Sequence, residues 1–62
     1  MRIKELREQR GMTRSELARQ MGVKHPSVIQ WEKEESLPAA AKLPKLAAVL
    51  GVTIDELYSN KG

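Results

Sequence analysis

Apolar residues recur three and four positions apart along almost the whole chain: Ile3 and Leu6, then Leu17, Ala18 and Met21, then Val28 and Trp31, then Leu46, Ala47 and Leu50, and last Ile54 and Leu57. That spacing gathers each group on one side of an α-helix, whereas a half-buried strand would alternate every second residue. β-Branched residues are few and scattered, and aromatics make up 3% of the chain, so no segment reads as a strand. Five helices are expected: about Arg2 to Arg10, Arg14 to Met21, Pro26 to Lys33, a fourth ending at Leu50, and a fifth from Ile54 to Ser59. The twelve apolar residues named above are the expected core.

The ends of these helices are written in local chemistry. Gly11, Gly22 and Gly51 each follow a run of helix formers and precede an apolar residue, Met12, Val23 or Val52. This is the order of a Schellman ending, with a left-handed glycine followed by a hydrophobic contact back onto the helix. Thr13 with Glu16, and Thr53 with Glu56, form the T-x-x-E capping box, in which side chain and backbone satisfy each other's free groups. Met12 with Leu17, and Val52 with Leu57, stand where a hydrophobic staple would close each start. The fourth helix is ambiguous, because Pro44 disfavours helical geometry at Leu43. Either the helix is kinked there, or it begins near Leu43 with Pro44 in its first turn.

Two charges interrupt the apolar stripes: Arg7, one turn after Ile3, and Glu32, one turn after Val28. Opposite charges on two inward faces predict a partly buried ion pair joining helices 1 and 3; a snorkelling Arg7 with Glu32 at the rim is the alternative. Trp31, the single tryptophan, lies on an apolar stripe and is expected in the core rather than on a ligand platform.

With 62 residues the chain is sized for one domain, taken as 1–62, and nearly all its apolar residues are needed for one core. There is no cysteine and one histidine, which excludes a disulfide framework and a thiolate nucleophile and leaves no ordinary ligand set for a metal. Neither a G-x-G-x-x-G nor a P-loop occurs, so no enzyme and no cofactor is expected. The longest apolar stretch, Leu46 to Val52, is far below the ~20 residues of a membrane span. No secretory leader is visible. These features describe a soluble intracellular protein, and a mean hydropathy of -0.50 with sustained periodicity argues against disorder.

The net charge is +3 and the pI near 9.6. It is unevenly placed: Met1 to Lys33 carries eight Lys or Arg against four Glu, a net of +4, while Glu34 to Gly62 carries three Lys against three Glu and one Asp, a net of -1. A basic amino-terminal half suggests a polyanionic partner. Helices 2 and 3 are separated only by Gly22, Val23, Lys24 and His25, a connection short enough to force the steep crossing of a helix-turn-helix unit. With Val28, Trp31 and Glu32 turned inward, helix 3 leaves Pro26, Ile29, Gln30 and Lys33 outward and Ser27 at the edge. Gln30 can engage an adenine edge through two hydrogen bonds, and an exposed Ile29 can meet a thymine methyl.

The run Met12-Thr-Arg-Ser-Glu-Leu-Ala-Arg-Gln-Met-Gly-Val23, followed by Ser27-Val-Ile-Gln-Trp-Glu-Lys33, Pro38, and Leu46-Ala-Ala-Val-Leu-Gly-Val-Thr-Ile-Asp-Glu-Leu57, resembles the Cro/cI-type helix-turn-helix family of phage repressors and bacterial regulators. The resemblance covers almost the whole chain. It implies an all-α, compact five-helix domain of the lambda-repressor-like type, with helix 3 in the major groove of double-stranded DNA and two copies forming a homodimer on an inverted repeat. It places base contacts at His25, Pro26, Ile29 and Gln30 and phosphate contacts at Arg14, with Ser15, Lys24, Ser27 and Lys33 beside them. Arg7 and Glu32 match a structural ion pair of the family. A cytoplasmic transcriptional regulator, a repressor of bacterial or phage type with no small-molecule effector, is the implied function. Leu37, Leu57 and Tyr58 fall where the family forms its dimer.

The chain departs from the family in four places. Glu34 and Glu35 follow Lys33 where the family has Gly and basic residues, and two carboxylates there would repel DNA. Pro26 replaces a polar base reader and cannot hydrogen-bond a base. Lys24 stands in for a small capping hydroxyl, and Pro44 interrupts the fourth helix. A second reading stays open: a protein-binding module, such as an antitoxin or a partner-dependent regulator, favoured by Glu34, Glu35 and an exposed Leu37.

Overall fold

Left-handed residues follow the helix ends where the chain turns sharply, and among the described residues three of the four are glycines. The computed structural model describes residues 1–58 of the 62. They form α1 (Ile3–Gln9), α2 (Arg14–Met21), α3 (His25–Glu32), α4 (Leu43–Leu50) and α5 (Ile54–Tyr58), with a 3-10 turn at Ala40–Lys42 leading into α4. No strand occurs among the described residues. The architecture is the expected all-α bundle of the lambda-repressor-like type. Ser59, expected to end helix 5, lies outside the described residues.

At Gly22, φ is 70°, and the Val23 N–H reaches back to the Ala18 carbonyl at 3.0 Å. Gly51 repeats this with φ of 73° and a Val52 to Ala47 bond of 2.9 Å. Both are Schellman endings, with Val23 and Val52 packed against the core. The two capping boxes are also formed: the Glu16 carboxylate accepts from the Thr13 N–H at 2.8 Å while Thr13 Oγ1 accepts from the Glu16 N–H at 3.1 Å, and Thr53 and Glu56 do the same at 2.8 and 3.2 Å. The ambiguity at helix 4 resolves to the second alternative. α4 starts at Leu43 with Pro44 in its first turn, where its missing N–H has no intrahelical partner to lose.

α3 ends differently. Its left-handed residue is Glu34, at φ 61°, with the Glu35 N–H bonded to the Gln30 carbonyl at 2.9 Å. A side chain in this conformation carries backbone strain that a glycine would not. Beyond it Pro38 is buried and Leu37 stays 68% exposed.

The core is Ile3, Leu6, Leu17, Ala18, Met21, Val28, Trp31, Leu46, Ala47, Leu50 and Leu57. It includes eleven of the twelve expected residues and excludes Ile54, which is 39% exposed. The reason is geometric: α5 has five residues, and Leu57, fully buried, defines its inward side. Ile54 and Tyr58, four apart, share a neighbouring outward face. α2 is the central element, packed on α3 and α4, while α1 lies on α3. The Arg2 N–H donates to the Leu57 carbonyl at 2.9 Å and ties the start of the chain to α5.

Candidate nucleic-acid interface

The site begins with the turn between α2 and α3. Because Gly22 reverses the chain at once and Lys24 takes an extended conformation as the residue before α3, only three residues separate the two helices. No side chain caps that start; Pro26 sits in the first turn instead, where its fixed φ favours helix. α3 therefore begins at His25, one residue earlier than its pattern suggested.

Val28 is fully buried and Trp31 is 5% exposed, so α3 is fixed against the bundle by one side. Its other side is open: His25, Pro26, Gln30 and Lys33 are exposed, as is Lys24 just before it. Ile29 and Ser27 are half-buried. For Ile29 this is less open than expected. Arg14 and Ser15, in the first turn of α2, are also exposed and lie beside the start of α3.

Behind this surface is a hub of three charges. The Glu32 side chain is 4% exposed. Its Oε2 accepts from Arg7 Nε at 2.7 Å and its Oε1 accepts from Arg14 Nε at 2.9 Å. Arg7 also donates from Nη1 to the Met12 carbonyl at 2.7 Å, at the end of α1. Burial pushes the Glu32 carboxyl up, but the hydrogen bonds and charges of Arg7 and Arg14 outweigh it and hold the group below its ordinary value. The Glu16 carboxyl is lowered too, by the hydrogen bonds it receives from the Thr13 backbone and hydroxyl.

Arg14 joining this hub is the feature that sequence reasoning missed. The sequence assigns it only a phosphate contact; nothing in the local pattern places it next to a residue 18 positions away. Its Nε is occupied by Glu32, while its side chain remains 43% exposed. Glu34 and Glu35 project into solvent past the far end of α3. Among the described residues no group of three His, Asp or Glu gathers to hold a metal, and no helix is long and apolar enough to cross a membrane.

A short glycine turn, a second helix anchored by one face and free on the other, and cations beside its start define a helix-turn-helix module. The family model described as Helix-turn-helix matches residues 3–57, and the chain belongs to that family. An uncharacterized HTH-type transcriptional regulator of Archaeoglobus fulgidus is 35% identical over 57 residues, covering 92% of this chain and 81% of the relative. The HTH-type transcriptional regulator PuuR of Escherichia coli is 31% identical over 58 residues, and there the match spans 94% of this chain but only 31% of that protein. No solved structure gave a match. The protein is thus a DNA-binding transcription regulator of the helix-turn-helix family.

Proposed function

We propose that the chain is a single-domain cytoplasmic repressor of bacterial or phage type that binds an inverted repeat in double-stranded DNA as a two-fold homodimer. The observation that carries this reading is the outward face of α3, where Pro26, Gln30 and Lys33 are exposed while Val28 and Trp31 lock the helix in place. With α3 in the major groove, Gln30 offers a donor and an acceptor to a base edge, and His25, Pro26 and Ile29 line the same edge. Arg14, Ser15, Lys24, Ser27 and Lys33 flank the helix and meet phosphates, which set orientation and most of the affinity.

A helix of eight residues reads few base pairs, so specific binding needs a second copy. Leu37, Ile54 and Tyr58, at 68%, 39% and 52% exposure, are the large apolar side chains open to solvent, and they supply a surface for that copy. Occupancy of a promoter then blocks transcription.

Selection from a randomised duplex pool, followed by titration of the enriched sequence at several salt concentrations, tests the reading. An inverted repeat with half-sites about one helical turn apart, bound with a steep salt slope, is the expected result. Enrichment of nothing would transfer the weight to the acidic and apolar surface of Glu34, Glu35 and Leu37 as a protein-binding face.

A further inference from the structure

The outer side of α1 and the first turns of α2 and α3 surround an open depression whose walls include Lys4, Arg7, Glu8, Arg14, Ser15 and His25. Basic side chains thus reach it from three helices. Arg7 is committed to the fold, with Nε on Glu32 and Nη1 on the Met12 carbonyl, both at 2.7 Å, and it contributes positive charge from beneath. Glu8 is the one carboxylate on the wall; its Oε2 stands 4.0 Å from Arg7 Nη2 and its side chain is 58% exposed. Lys4 is exposed and, among the described residues, has no ion-pair partner. Arg14 is held at Nε by Glu32, so its two Nη groups, which no carboxylate of the described residues engages, are presented in a set direction.

A guanidinium edge and an ammonium that share one concavity suit a tetrahedral oxyanion: the planar fork donates two hydrogen bonds and the lysine adds a point charge. The walls are too polar and open for an apolar ligand. The depression also adjoins the start of α3, where the backbone of a duplex holding α3 in its groove must pass. We propose that it seats one DNA phosphate, held jointly by Lys4 of α1 and Arg14 of α2, with Glu32 as the positioning residue that aims Arg14. The proposal rests on the DNA-binding mode given above and extends the contact surface to α1, which the sequence pattern had assigned only to the core.

The test compares the wild-type chain with Lys4→Gln, Arg14→Gln and the double variant, each titrated with the selected duplex and with a random duplex across a salt series, with thermal melting in parallel. Lys4→Gln is expected to weaken both duplexes alike, by about threefold to tenfold, and to reduce the salt slope by about one unit with an unchanged melting temperature. Because the two cations share a phosphate, the loss in the double variant falls at least threefold short of the product of the single losses. In a Glu32→Gln background, studied well below its own melting point, the effect of Arg14→Gln shrinks. Unchanged affinity and slope in Lys4→Gln would overturn the seat. Losses that simply multiply would also overturn it, since Lys4 would then meet a different phosphate. An Arg14→Gln effect undiminished without Glu32 would remove the positioning role. A wild-type chain that binds neither duplex would instead overturn the DNA-binding mode itself.

Discussion

At Glu32 one carboxylate that is almost out of water receives hydrogen bonds from two guanidinium groups at 2.7 and 2.9 Å. Charge-assisted bonds of this kind are worth about 1.5–3 kcal/mol, and removing the charge leaves two arginines facing an amide. Glu32→Gln is therefore expected to destabilise the fold by about 2 kcal/mol, read from denaturant melts at neutral pH. Its pH dependence has a definite sign. A carboxyl whose folded pKa lies below its ordinary value of 4.5 contributes full stability above that value and loses it as the pH falls through the lowered one. The gap between wild type and Glu32→Gln should thus be wide at neutral pH and close below 4.5. Glu16 titrates in both proteins and cancels in the difference. Glu34 is the opposite case, a side chain at φ 61° where glycine would be unstrained. Glu34→Gly should raise stability by about 1 kcal/mol despite the weak 3.6 Å pairing of Glu34 with the chain's amino group, and an unchanged melting temperature would show that the strain is absorbed elsewhere.

Among the helices, α3 divides its work between two sides. Val28 and Trp31 hold it, and Gln30 stands free. Substitution on the free side should change recognition without changing the fold: Gln30→Ala is expected to cost about 1–3 kcal/mol on the selected duplex and little on random DNA, with no shift in melting temperature. Equal losses on both duplexes would take Gln30 out of base reading. α2 presents the contrasting chemistry: in the proposed DNA-binding mode Arg14 meets backbone rather than bases, and its loss should act on every sequence alike.

For the whole molecule the decisive surface is apolar. Ile54 and Tyr58 share one face of α5, and Leu37 is open in the loop after α3. In the proposed homodimer, Tyr58→Glu would place a charge in the seam while leaving the core untouched. The expected outcome is a lower sedimentation coefficient at high protein concentration and weaker binding to a full inverted repeat, with half-site binding retained. A variant that sediments and binds as wild type would place the seam elsewhere.

Local chemistry determined much of this protein from sequence alone. Periodicity, the two T-x-x-E boxes and the glycines act within one or two turns, so they mark where α1, α2 and α4 stop and where α2 and α5 start whatever surrounds them, whereas the start of α4 at Leu43 was settled by the structure. Helix 3 and its outward Gln30 were legible for the same reason, and the opposite charges of Arg7 and Glu32 on two inward stripes were enough to bring them together. The tertiary structure decided what depends on residues far apart in the chain. Arg14 reaches Glu32 only because the first turn of α2 meets the last turn of α3, and Lys4 shares a depression with Arg14 and His25 only because α1 lies beside them. Ile54 stays partly open to water while Leu57 takes the inward position of so short a helix. Glu34 takes a left-handed backbone where α3 ends, and the chain then brings Pro38 back into the interior. Such placements follow from packing between elements, and no window along the sequence contains them.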